Sequence, residues 1–194
     1  MALIKFLFSI LLLPIVFAIT TAFHGELVVV KPVYHLFTFG IVVFAITHLF
    51  VLNLSGIYQG GQKLLSDGLK FSPFLAGFIP LVLPLFPTLL MLTLYVAGKF
   101  FAMGQWEPYI IFFTGVTFAM HLILTAQILR EEDTGLFKAH YFFVMGLGYI
   151  FNILIIAALF NLNFANLPFL KFFDQAMLGV KDIYVYIYSR LAGI

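Results

Sequence analysis

Five long apolar runs dominate this chain: residues 6–23, 33–54, 71–98, 109–129 and 139–160. A helix needs about 20 residues to cross the hydrocarbon of a bilayer. Each run comes close to that length or exceeds it, so the solvent these segments suit is lipid. The ten Lys or Arg and eight Asp or Glu among 194 residues fall almost entirely between the runs. A soluble domain is about half apolar. At 63% hydrophobic residues, this chain would leave large apolar patches facing water. The expected fold is an all-α, polytopic integral membrane bundle of five spans, about 3–22, 33–54, 73–98, 109–129 and 139–161. Residues 1–163 then form one membrane domain, followed by a tail over 164–194.

The first run resembles a secretory leader, with Lys5 ahead of it and small residues near Thr20, Thr21 and Ala22. It is longer than a usual leader core, and we read it as a retained span. The segment from His24 to Pro32 reads as a short turn, and Ser55–Lys70 as a Gly-rich polar loop. In the tail, Lys171, Asp174, Gln175, Asp182 and Ser189 recur at helical spacing among apolar residues. That pattern suits an amphipathic helix lying in the membrane surface. As a sixth span it would hold Lys181 and Asp182 at an expensive depth. Trp106, Tyr184 and Tyr188 are the expected interface anchors.

With the N-terminus in the cytoplasm, that side carries Lys5, Lys63, Lys70, Arg130 and Lys138, and the opposite short loops carry only Lys31 and Lys99. This favours a cytoplasmic N-terminus, in a plasma or inner membrane if the cell is prokaryotic. The tail, placed on the far side, adds Lys171, Lys181 and Arg190 and levels the count.

Pro73, Pro80, Pro84 and Pro87 are spaced by 7, 4 and 3 in the third run. On an unbroken helix these offsets put all four on one face. Proline removes a backbone donor and kinks a helix, freeing the carbonyl four residues earlier. Neighbouring helices can satisfy such carbonyls. A deliberately broken helix would instead aim those of Ala76 and Leu83 at a cavity or a cation.

Of the five histidines, His24, His35 and His140 fall near span ends, where an imidazole is easily solvated. A surface metal site of His24, Glu26 and His35 is conceivable from donor types alone, without a diagnostic spacing. His48 and His121 are different, because each lies within an apolar span. On spans running the same way, they sit about 22 and about 18 Å from one face. The simplest reading is an interhelical hydrogen bond to Thr47, Thr117, Thr125 or Asn152. A second is axial ligation of one b-type haem by both rings. A third is a proton or ion path. His35 and His48 lie about 140° apart on their helix, which disfavours a two-haem arrangement. Gly115 with Ala119, and Gly146 with Gly148, suit close helix packing.

Several classes of chemistry have no footing. Without cysteine there are no disulfides, iron–sulfur clusters or thiolate metal sites. There is no phosphate loop, nucleophile elbow, dinucleotide turn or zinc helix. Glu131, Glu132 and Asp133 are adjacent and splay apart, so they make no acid–base pair. No Lys/Arg cluster resembles a nucleic-acid footprint. The leading expectation is a non-catalytic membrane subunit that anchors or scaffolds an assembly with other subunits or with itself. The alternatives are a haem subunit using His48 and His121, and a small transporter or channel built on the broken third span.

Overall fold

The computed structural model describes residues 2–50, 55–101, 103–132 and 139–193. Among them are eight α-helices and no strand. The helices are α1 Ala2–Val29, α2 Lys31–Phe50, α3 Ser55–Gly68, α4 Pro73–Val82, α5 Leu85–Gly98, α6 Glu107–Glu132, α7 Ala139–Asn163 and α8 Phe169–Ala192, with a short 3-10 turn at Met103–Gln105. Four segments are long and apolar enough to cross a membrane: Leu3–Val29, Lys31–Phe50, Glu107–Arg130 and His140–Asn163. A fifth is available if the bent pair α4–α5 counts as one span.

Contacts divide the chain into two units, Met1–Val30 with Asp133–Ile194, and Lys31–Glu132. The tail helix lies in the same unit as α1.

In the first unit α7 runs parallel to α1. Lys5 Nζ lies 3.4 Å from His140 Nδ1, Gly146 faces Leu12, and Phe23 meets Phe160 with ring centres 6.3 Å apart. α8 runs antiparallel to α1. Glu26 pairs with Lys171, Phe23 with Phe172, Ala18 with Gly179, and the Tyr184 hydroxyl donates to the Leu11 carbonyl. These contacts follow α1 for about 22 Å at 1.5 Å per residue. α8 is the expected C-terminal helix, and it is not among the helices apolar enough to cross a membrane. Its Phe172 and Ala176 are buried, while Lys181 and Asp182 face outward. The expected turn at His24–Pro32 is corrected, because α1 stays helical through Val29.

Glu26 is only 5% exposed, and its Oε1 sits 2.8 Å from Lys171 Nζ. A buried carboxylate that loses its cation is strongly penalised, by about 3–5 kcal/mol for a fully buried pair. Lys171 is half exposed, so solvent discounts that figure. Lys171→Met is expected to lower the unfolding free energy by about 1–3 kcal/mol, with Glu26→Gln in the same chain restoring part of it. Denaturant titration of the two variants in mixed micelles measures this.

In the second unit α2 and α6 are parallel and closely packed. Phe37 meets Phe118 with ring centres 5.7 Å apart, and further along His48 meets Gln127. Between these contacts a Cβ on Gly40 would collide with the Phe112 carbonyl oxygen, and one on Gly115 with the Phe37 carbonyl oxygen. Two glycines thus let the backbones touch. Phe44, Tyr58, Ala119, Met120 and Leu124 form the core beside this contact. Because α2 and α6 point the same way, α3–α5 must return the chain to the end from which α2 started.

α3 corrects the expected polar loop. Ile57, Tyr58, Gly61, Leu64 and Leu65 repeat every three or four residues, and that periodicity folds the segment into a helix that buries Tyr58 and Gly61. Its glycine content had favoured a loop. α4 opens on Ser72, whose hydroxyl accepts from the Leu75 N–H, with Pro73 in the first turn, where no donor is needed.

Between α4 and α5 the axis bends by 74°. The cause is local. A residue before proline is pushed out of the α region, and Leu83, before Pro84, adopts φ −87° and ψ 113°. The four prolines therefore do not share one helical face. Pro73 starts α4, Pro80 lies within it, Pro84 caps α5 and Pro87 occupies its first turn. Residues 51–54, the expected end of the second span, and the acidic loop residue Asp133 lie outside the described residues, as do the side chains of Glu131 and Glu132.

Candidate functional site

His121 is 1% exposed on α6, in the middle of an apolar span. α3 brings Tyr58 to it: the hydroxyl lies 3.2 Å from His121 Nδ1 and 2.5 Å from Thr125 Oγ1. Thr125 is one helical turn beyond His121, so Tyr58 bridges two neighbours on one face of α6. The other imidazole nitrogen, Nε2, is buried without a hydrogen-bond partner of good geometry. The Leu81 backbone lies against the ring. Leu81 lies in the last turn of α4, whose helical ladder closes with Leu83 N–H on Ile79 O. Carbonyls in that final turn have no partner within the helix. The break therefore leaves polar backbone beside the buried histidine. With Nε2 carrying the hydrogen towards Leu81, Nδ1 accepts from Tyr58 and Tyr58 accepts from Thr125.

A cleft of about 290 Å³ adjoins this group. Tyr58, Gln62, Lys63, Ser66 and Asp67 of α3 line one wall, and Ala76, Gly77, Pro80 and Leu81 of α4 the other, with Ile128 of α6 beside them. Ala76, whose carbonyl was expected to be bared by Pro80, does border a cavity, whereas Leu83 lies at the break itself. Gln62 Oε1 is buried and unpartnered next to Tyr58.

Burial pushes the Tyr58 hydroxyl up to about 12, the bonds from Thr125 and Gln62 opposing it. It is therefore a protonated donor at neutral pH. An unfolded tyrosine ionises near 10, so between pH 10 and 12 the unfolded chain releases this proton while the folded one keeps it. Stability falls with rising pH in that window. Tyr58→Phe is expected to flatten the decline by about 2–3 kcal/mol at its upper end. At neutral pH the same variant strands His121 Nδ1 and Thr125, costing about 1–3 kcal/mol. Unfolding midpoints of wild type and variant across pH 7–12 separate the two effects.

The other candidates from the sequence are placed elsewhere. His48 Nε2 lies 3.0 Å from the Gln127 side-chain amide, and its ring stacks on Phe44. Gln127 is six residues past His121 on α6, about 9 Å along the axis. Each histidine thus has its own protein partner. His48 does not offer its Nε2 as an axial ligand in this arrangement. Of the four expected partners, only Thr125 joins a histidine, and it does so through Tyr58. Thr47 and Thr117 bond their own helix carbonyls at Val43 and Phe113, and Asn152 bonds Gly148 O at 2.7 Å. Glu26 is held by Lys171, and His35 contacts the Tyr34 ring. Among the described residues no group of three or more His, Asp or Glu could hold a metal ion, so the set His24, Glu26 and His35 is not assembled. Trp106 is half exposed beside Tyr109, and Tyr188 is exposed. Tyr184 instead reaches Leu11, well inside the first span.

Tyr58 was missed because it lay in an apparent loop. The signal that could have found it is the apolar period of residues 57–65. No protein-family model matches the chain, and no curated protein or solved structure matches it either.

Proposed function

We propose that this protein is a small membrane transporter built around the broken third span, with His121 as its proton-accepting group. One observation carries the reading: the 74° break sets the end of α4 beside a fully buried histidine whose Nδ1 meets the hydroxyl of Tyr58, a residue of the cleft wall. Ionisable groups inside spans tend to mark solute or proton paths. Discontinuous helices, with bare backbone groups at mid-membrane, are a recurrent way to build such sites.

The topology that fits is a cytoplasmic N-terminus. Lys5, Lys63, Lys70, Arg130 and Lys138 then share one side, against Lys31 and Lys99 in the opposite short loops. A plasma or inner membrane is the natural setting.

The anchoring-subunit reading draws on exposed apolar helix faces such as Phe8, Leu11 and Phe17 of α1. Lipid covers such faces as well as a partner subunit does, so they favour neither reading. Haem b ligation through the Nε2 atoms of His48 and His121 would first require His48 to leave Gln127.

The test is proton flux into vesicles containing the full chain, driven by a pH gradient and read by an internal dye. Flux above that of empty vesicles is expected. Pro84→Ala, which lets Leu83 return to helix, is expected to lower it about tenfold, equivalent to about 1.4 kcal/mol on the barrier. Pro87→Ala restores a donor in the first turn of α5 and should lower it less. Unchanged flux in both variants would count decisively against a path at the break.

A further inference from the structure

We infer that the cleft between α3 and α4 binds a small carboxylate with a short apolar tail. The inference rests on the transporter reading and adds the class of solute. The two walls differ in chemistry. α4 contributes Ala76, Gly77, Pro80 and Leu81, an apolar surface without a charge. α3 contributes Gln62, Lys63, Ser66 and Asp67. Asp67 is already neutralised by Lys70, 3.0 Å away. Among the described residues no carboxylate is within ion-pair distance of Lys63. Among the described residues, Lys63 is thus the cleft's one charge without an ion pair.

Beside that charge, the buried Gln62 side-chain oxygen lacks a partner. Its oxygen can accept from the O–H of a carboxylic acid, the protonated form of such a solute. A ligand that satisfies the whole cleft is anionic at one end, hydrogen-bonding next to it and apolar beyond. A sugar would leave its hydroxyls unpaired against α4, and a cation would meet Lys63.

Size narrows the class further. A volume of about 290 Å³ is at the small end for ligand pockets, which run from about 300 to 1,000 Å³. Gly77 borders the cleft, and a Cβ there would meet nothing within 4 Å, so the wall accommodates a larger side chain at this position. Tyr58 forms part of the wall and also bonds His121. The solute site and the proton site are thereby joined through a single hydroxyl. A carboxylate moving with a proton crosses the bilayer as a neutral pair.

The probe is radiolabelled butyrate, measured by equilibrium dialysis against the purified full chain in detergent, with n-butylamine as the cationic mirror. Saturable binding is expected, with Kd at or below ~1 mM. Lys63→Gln should weaken it about tenfold and Lys63→Arg should retain it, consistent with loss of one charge-assisted contact. Gly77→Leu should abolish it, and butylamine should not compete. The inference is overturned by no saturable binding up to ~10 mM. Equal affinity in Lys63→Gln and Gly77→Leu, or displacement by butylamine, would overturn it equally. The transporter reading is scored separately, by proton flux without butyrate. Flux that depends on His121 with no butyrate binding removes only the solute class. Butyrate binding with flux indifferent to His121 removes only the proton role.

Discussion

Gly115→Val is expected to destabilise the second unit by about 3 kcal/mol or more, at the upper end of overpacking costs. The reason lies in what the new atoms meet. A Cβ at Gly115 falls on the Phe37 carbonyl oxygen and close to that residue's Cα, and backbone cannot rotate aside as a side chain can. α2 and α6 would have to separate, and with them the contact of Phe37 on Phe118 and the core of Phe44, Tyr58 and Leu124. Gly115→Ala should show the same sign, because the first added carbon already collides. Gly60→Ala is the control. Its Cβ would meet nothing within 4 Å on α3, and alanine is about 1 kcal/mol better than glycine inside a helix. Unfolding midpoints in mixed micelles should therefore fall sharply for Gly115→Val and hold or rise for Gly60→Ala. Equal behaviour of the two would refute the close approach of α2 and α6.

His121→Gln is expected to reduce proton flux to the level of empty vesicles while leaving the fold in place. Glutamine retains a side-chain amide that can bond the Tyr58 hydroxyl, but it cannot take up a proton near neutral pH. Its effect on stability should stay within about 1 kcal/mol, the net worth of one such hydrogen bond. That contrast is the content of the prediction: function lost, structure kept. Tyr58→Phe supplies the complementary case. It keeps the imidazole and removes the hydroxyl between it and the cleft, so flux should fall but remain measurable. Flux that is unaltered in His121→Gln would leave the buried histidine with a packing role alone. His48→Gln serves as the reference, because His48 bonds Gln127 and lines no part of the cleft described above.

The spans were legible because lipid imposes a length, and runs of apolar residues long enough to meet it announce themselves. The weakness of the third span was legible too, from Pro80, Pro84 and Pro87. Its position was not, since several prolines could each have bent it. Leu83 decides the matter by being the residue that leaves the helical region ahead of Pro84. α3 was hidden by composition: Gly56, Gly60, Gly61 and Gly68 suggest a loop, while the apolar residues among them repeat as a helix does. α8 was readable as a helix from the spacing of its polar residues, whereas its antiparallel packing along α1 was not, because contacts such as Glu26 with Lys171 join residues far apart in sequence. Half of the site was visible. A histidine inside an apolar run is conspicuous, and Thr125 was on the short list of its partners. Tyr58 was not, because 63 residues separate it from His121 and nothing local couples them.

The discontinuity of the first unit has a consequence for biosynthesis. α1 is made early, yet its partners α7 and α8 follow only after the whole of Lys31–Glu132. At a synthesis rate of about 5–20 residues per second, α1 waits for several seconds with Glu26 unmatched. The second unit, contiguous in sequence, can close in the meantime. Nascent α1 is thus the segment most dependent on being held by the insertion machinery. Slowing synthesis within residues 31–132 should lengthen its exposure to membrane proteases, and hurrying the ribosome there should shorten it.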